Sequence, residues 1–295
     1  MKLRLTLILG SVAIALALLS WGMGQQAYTW LPPQASAESQ LVDDLFSVLV
    51  AIGTFIFLGV FLALTYSVLF HRAGKYDESD GPAIEGNLTL EIVWTAIPFV
   101  LVMGIAYYSY HIYDQMAILG PMEHAHDQKM ADTTSEEAIE VIARQWAWEF
   151  HYPQLGVTST ELHLPSNQRA KLVLKSEDVL HGFFVPAFRI KQDIIPNRAI
   201  GFEFTPIQEG RYRLRDSQYS GTYFAAMQTD VVVESPESYE QWLKAAAKQT
   251  PKPAYNRAFE EYNQTSPTAI HTAWKTIVPA TPAIVNYSPP QENKS

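Results

Sequence analysis

Two short stretches concentrate the side chains able to do chemistry. Val179-Leu180-His181-Gly182-Phe183-Phe184-Val185-Pro186 offers one imidazole. Asp216-Ser217-Gln218-Tyr219-Ser220-Gly221-Thr222-Tyr223-Phe224-Ala225-Ala226-Met227 offers a carboxylate, an amide, hydroxyls and a thioether. Taken alone these are two loop-like β-connections, and a hydrogen-bonded structural histidine accounts for the first. A mononuclear metal site from His181, Asp216 and Met227 would mix hard and soft donors, an unattractive set. A third feature is Glu91, in Leu88-Thr89-Leu90-Glu91-Ile92-Val93-Trp94-Thr95-Ala96-Ile97-Pro98, at the mouth of an apolar run. A carboxylate at a bilayer boundary serves ion passage or simply complements a helix N-terminus. The fourth is the aromatic run Gln145-Trp146-Ala147-Trp148-Glu149-Phe150-His151-Tyr152. Alternation places Trp146 and Trp148 on one side of a strand, facing a core or forming an electron path or docking patch.

Composition removes competing chemistries. The 295 residues include no cysteine, which excludes disulfides, structural zinc fingers, iron–sulfur clusters, a thiol nucleophile and thiolate-bound copper. A formal charge of −9 argues against a nucleic-acid partner, which needs a basic surface. The mean hydropathy of −0.03 looks ordinary, but charged residues make up only 17%, so some stretches must be nearly charge-free.

Three segments hold the segregated hydrophobicity. Residues 45–70 carry no charge and residues 92–112 contain no Asp, Glu, Lys or Arg. A bilayer core takes about 20 apolar residues of helix, so 45–70 and 88–112 are expected to span. Residues 1–24, with Lys2 and Arg4 before an apolar core, read as a signal peptide or a further transmembrane helix. Ala35-Ser36-Ala37 resembles a cleavage site, although it lies far beyond that core. Either way, Lys2, Arg4, His71, Arg72 and Lys75 lie on the cytoplasmic side, with 71–87 as the inner loop, consistent with the positive-inside bias.

The remainder is exported. Residues 113–137 read as a polar linker. Period-two stretches at 139–143, 161–164, 170–174, 199–204, 212–215 and 230–233, bounded by turn residues, suggest a β-sandwich or barrel over 138–235. Ser235-Pro236-Glu237 starts a short helix (236–250) with Tyr239, Trp242, Leu243 and Ala246 on one face. Residues 251–295 read as a polar, proline-rich tail, mobile over its last portion.

The helical hairpin, Leu90-Glu91-Ile92-Val93-Trp94-Thr95, Gln145-Trp146-Ala147-Trp148 and the two loops closely resemble subunit II of haem–copper terminal oxidases over about residues 40–245. Val185 to Asp193 and Gly221-Thr222-Tyr223 strengthen the likeness. The resemblance implies a cupredoxin sandwich after a two-helix, or three-helix, membrane anchor. It puts Glu91 at the entrance of a K-type proton channel. It also implies a bacterial plasma-membrane protein with its C-terminal domain in the periplasm, partnered by lipid and by subunits I and III.

Copper-bearing members of that family use a histidine in the first loop and Cys-Ser-Glu-x-Cys-Gly-x-x-His-x-x-Met in the second. Here His181 and Met227 stand at ligand positions, but Asp216 and Ser220 replace the cysteines, Gln218 the glutamate and Phe224 the second histidine. Two bridging thiolates hold the copper pair, so no cofactor is expected in this subunit, with haem and copper left to subunit I. An amide at Gln218 is also a poor magnesium ligand. The pattern resembles the divergent subunit II of an alternative oxidase in cyanobacteria. The resemblance therefore implies a non-catalytic subunit of an oxygen-reducing, proton-translocating complex fed by quinol at subunit I. One alternative keeps cytochrome c as donor, with Trp146 and its neighbours passing electrons directly to a haem in subunit I. Another is a membrane-tethered cupredoxin-like binding or assembly module.

Overall fold

Helix formation runs further than hydropathy alone marks. In the computed structural model, residues 2–72, 76, 86–118, 138–264, 284–285 and 287–288 are described. Three of its helices are long and apolar enough to cross a membrane: α1 (Lys2–Ala27), α2 (Ala37–Phe70) and α3 (Leu88–Met116). The N-terminal segment, open between signal peptide and further transmembrane helix by sequence, is helical over 26 residues and is one of these three candidate spans. Near its end α1 meets α2 closely: Ser47 Oγ donates to the Gly24 carbonyl at 2.9 Å, and a Cβ on Gly24 would lie 2.9 Å from the Ser47 oxygen. Tyr28 also donates to Asp44 at 2.7 Å.

Helix α2 starts at Ala37 rather than 45, taking Asp43 and Asp44 inside it. Its start is set by a reciprocal cap: Ser39 N–H donates to Ser36 Oγ at 3.1 Å and Ser36 N–H to Ser39 Oγ at 3.3 Å, satisfying donors that open every helix. Helix α3 extends to Met116, past the expected boundary at 112, with Pro98 inside it. Most of the inner loop and of the linker, at 73–75, 77–85 and 119–137, lies outside the described residues.

Residues 32–40 and 116 onward form a separate unit from the helical one. Among its described residues, ten strands build its two main sheets: β1 (Ile139–Arg144), β2 (Ala147–Tyr152), β3 (Val157–Ser159), β4 (Leu162–Pro165), β5 (Ala170–Ser176), β6 (His181–Val185), β7 (Ile190–Ile194), β8 (Ile200–Phe204), β9 (Gly210–Asp216) and β10 (Gln228–Glu234). They form two five-stranded sheets, ordered β3-β2-β1-β5-β8 and β4-β10-β9-β6-β7. Strands β1/β5 and β4/β10 pair in parallel. Alternating burial along β1 and β10 turns Ile139, Val141, Ala143, Val231 and Val233 into the core, as a half-buried strand requires. Phe150, Phe183, Phe188, Phe202 and Phe204 are fully buried there. The expected β-sandwich is therefore present.

Residues 32–40 are part of this unit. Ala35 is fully buried; its N–H donates to Ala187 O at 3.1 Å and its carbonyl accepts from Ile207 N–H at 2.9 Å. The cleavage-like triplet is thus a buried backbone pairing. The short helix is α4 (Pro236–Ala247), capped by Ser235 accepting from Ser238 N–H, with Leu243 and Ala246 buried. Two elements were not expected in the tail: a two-residue strand pair, β11 (Lys252–Pro253) with β12 (Tyr287–Ser288), and helix α5 (Arg257–Gln264). Ile284 and Val285 also return to the edge of β3, where Thr160 N–H donates to Ile284 O at 3.0 Å. The rest of the tail, at 265–283, 286 and 289–295, lies outside the described residues.

Candidate functional site

His181 opens β6 and Asp216 closes β9, so neither is the loop residue that its sequence context suggests. Their antiparallel pairing brings the two together because Phe183 stands opposite Asp216, and His181 lies two residues back on the same strand. The contact needs a bare backbone at Gly182, where a Cβ would collide with Ser217 Oγ and sit 3.2 Å from Gln218 N. A second bare position is Gly221, at φ +112, where a Cβ would lie 3.0 Å from the Trp146 ring. Both glycines answer close approach, the use that costs least for glycine.

Asp216 is the hub. One carboxylate oxygen accepts from His181 Nδ1 at 2.8 Å and from Ser220 Oγ at 2.7 Å; the other accepts from Gly182 N–H at 2.8 Å and Gln218 N–H at 3.0 Å. Four donors match the accepting capacity of a carboxylate, which is how a charge can sit in a buried place. The opposite nitrogen of His181, Nε2, meets Asp178 Oδ1 at 2.8 Å. An imidazole that donates from both nitrogens is an imidazolium. Burial works against that charge at His181, but hydrogen bonds and attraction from Asp178 and Asp216 outweigh it and raise its pKa above the usual 6.5. Asp178 moves the other way: burial opposes its charge, and the His181 contact with backbone donors brings it below 3.8. The site holds the buried His181 imidazole between two carboxylates, Asp216 buried with it and Asp178 at the surface, with one hydroxyl from Ser220.

The side chains of the other expected residues surround it without joining it. Gln218 donates through Nε2 to Asp193 at 2.8 Å. Phe224 packs against the exposed Tyr219, ring centroids 5.3 Å apart. Met227 is buried in the hydrophobic core, and its carbonyl accepts from Asp216 N–H at 3.0 Å and from Trp148 Nε1 at 3.3 Å. Trp146 does not share a strand face with Trp148: Gln145 and Trp146 form the turn between β1 and β2, and only Trp148 lies on β2. Both indoles are buried, at 5% and 3% exposure, so neither presents a docking face of its own. The turn instead ties the two functional loops together. Gln145 N–H donates to Asp178 at 2.7 Å, while Gln145 Nε2 and Trp146 Nε1 donate to the Ser220 carbonyl at 2.6 and 3.0 Å.

Asp178 escaped the sequence reading, although its place three residues before His181 was a signal. Glu91 lies in the other unit, exposed in the first turn of α3. Asn87 starts that helix, its side chain accepting from Leu90 N–H at 3.2 Å and its carbonyl from Glu91 N–H at 2.9 Å. No group of three or more His, Cys, Asp or Glu among the described residues is arranged to hold a metal ion.

Comparison with known proteins gives consistent relatives. Residues 19–112 match the family model for the cytochrome c oxidase subunit II transmembrane domain, and residues 155–235 the model for its periplasmic domain. The chain is 34% identical to cytochrome c oxidase subunit 2 of Synechocystis over 277 residues, covering 82% of each chain. It is 26% identical to quinol oxidase subunit 2 of Bacillus subtilis, covering 75% of this chain and 66% of that one. A solved periplasmic domain of cytochrome oxidase subunit II from Bradyrhizobium japonicum is 26% identical over 38% of this chain and 94% of its own, with a TM-score of 0.36.

Proposed function

The chain belongs to the cytochrome c oxidase subunit II family, and we propose that it serves a haem–copper terminal oxidase without a dinuclear copper centre, fed by quinol. It is a membrane-anchored subunit of a terminal oxidase complex, with its C-terminal domain in the periplasm and subunit I as its partner. The proposal goes further on one observation: Asp216 and Ser220 stand where the copper-bearing family has thiolates, and Asp216 accepts hydrogen bonds from both Ser220 Oγ and His181.

The donor set does not fit a copper pair. Bridging two copper ions takes soft sulfur, and the chain has no cysteine. Both ring nitrogens of His181 are also already engaged by carboxylates, at Asp216 and at Asp178. Electrons then enter the complex at subunit I, with subunit III as a further partner. This chain contributes packing and Glu91, whose exposed carboxylate in the first turn of α3 suits proton uptake at a membrane boundary. The name of the Bacillus subtilis relative supports quinol as donor for that protein.

Donor choice tests the reading. The purified complex is expected to consume oxygen with quinol and to ignore reduced cytochrome c; the reverse preference removes the quinol assignment. Metal analysis is expected to find no copper in subunit II, and two copper ions per subunit, or a mixed-valence copper signal in spin resonance, would overturn the lost-centre assignment.

A further inference from the structure

Helix α5 has a placement that the tail composition does not foretell. Asn256 caps it, its side-chain oxygen accepting from Phe259 N–H at 3.1 Å, and the same amide donates from Nδ2 to the Gln145 carbonyl at 3.0 Å. One residue therefore both starts the helix and fastens it to the turn that carries Trp146. Ala258 is buried at 6% exposure and belongs to the core cluster of the sandwich. Glu261 accepts from the Tyr223 hydroxyl at 3.4 Å. Tyr262 sets its ring edge-on against Trp146, centroids 5.2 Å apart, and Tyr223 does the same at 5.2 Å from its own direction. Burial, and after it the Glu261 carboxylate, raises the Tyr223 pKa, so the hydroxyl stays a donor across neutral pH.

We propose that α5 is a built-in cap that occupies the face over Trp146 and so keeps a soluble protein electron donor from docking there. The occupant of that face is a segment of this same chain. The contacts are specific in kind: a helix cap shared with an anchor, a buried alanine and an edge-on aromatic pair, each a form of packing worth a fraction of a kcal/mol or more. Trp146 is only 5% exposed, and Tyr262 is one of the two tyrosine rings set edge-on against it. The inference rests on the quinol reading, because only a complex that takes electrons elsewhere can keep this face closed.

The test uses the whole purified oxidase with Asn256→Ala and Tyr262→Ala combined in subunit II. Hydroxyl-radical footprinting by mass spectrometry reports oxidation of the Trp146 peptide, and binding of reduced cytochrome c at low ionic strength reports docking. Trp146 oxidation is expected to rise about tenfold, the population shift from losing a cap and a ring contact together, and cytochrome c binding is expected to appear. Quinol-driven turnover serves as the assembly control. Should the double variant not assemble, Tyr262→Ala alone is read in the same way, since its side chain is half exposed. An unchanged Trp146 footprint overturns the cap. A raised footprint without cytochrome c binding overturns its blocking role. Cytochrome c oxidation by the unaltered complex, with Trp146 still protected, removes the quinol reading while leaving the cap contact in place.

Discussion

His181 Nδ1 and Asp216 Oδ2 lie 2.8 Å apart with both side chains wholly removed from solvent. Each strand supplies one partner, so the pair ties β6 to β9. Breaking a buried pair of this kind costs about 3–5 kcal/mol, because the surviving charge is left without its partner. Asp178 still holds the other nitrogen, so Asp216→Asn is expected near the lower end. Chemical unfolding of the purified subunit in detergent, followed by tryptophan emission, measures it; Trp148, 6.5 Å from His181, is a built-in reporter.

The same pair sets a pH dependence. His181 is raised above its usual 6.5, so its contribution to stability is complete below pH 6.5 and is lost as pH climbs through the folded-state value. Asp178 is lowered from 3.8; its contribution is present above pH 3.8 and lost as pH falls through its folded-state value. Thermal stability is therefore expected to fall as pH rises above 6.5, and His181→Gln to flatten that limb. Thermal melts at a series of pH values, for both proteins, read the slopes directly.

Returning the family's ligands should return copper. With Asp216→Cys, Ser220→Cys, Gln218→Glu and Phe224→His combined, the chain would carry the soft donors that select copper. About two copper ions per subunit are expected by metal analysis, with a shared-electron signal in spin resonance. Failure to take up copper, with uptake restored when Asp178→Ala is added, would mean that Asp178, which holds His181 Nε2, blocks the site.

Arg169 joins three parts of the periplasmic unit. It donates to Glu38 at 2.7 Å, to Glu203 at 3.4 Å, and to the carbonyls of Met116 and Ala117 at 3.1 and 2.7 Å. Glu38 is buried, with two further bonds from Thr205 N–H. Arg169→Ala is expected to cost about 2 kcal/mol, the range for hydrogen bonds to a charged group. Arg169→Lys should recover only part of this, since one ammonium cannot reproduce the guanidinium fork. Thermal unfolding of the three proteins compares them.

Glu91→Ala is expected to slow quinol-driven turnover by about tenfold or more, roughly 1.4 kcal/mol of barrier, while assembly with subunit I proceeds. Oxygen consumption normalised to haem measures the effect. An unchanged rate would return Glu91 to the role of a carboxylate favouring a helix N-terminus.

How much of this was legible before folding differs by feature. The apolar runs announced helices because an uncharged stretch of that length has few other uses, yet their ends were misjudged by several residues. The cap at Ser36 and Ser39 is a local polar signal that hydropathy averages away. The sandwich strands were readable from period-two alternation, whereas β6 was hidden by Gly182 and the aromatic run around it. Trp146 was assigned to a strand face because alternation cannot see that the chain turns at Gln145 and Trp146.

The residue list by itself determined that no thiolate exists, and with it that Asp216 and Ser220 cannot bridge two copper ions. It also fixed the membrane anchor, since transfer of apolar side chains into lipid depends on composition and length. Only the tertiary structure decided what surrounds His181 and Asp216. Asp178 reaches His181 across a turn, the Gln145 turn holds both loops, and α5 lies over Trp146 from more than a hundred positions away. Such contacts depend on strand pairing and backbone clearance at Gly182 and Gly221, and these arise only when the two sheets close on a common core.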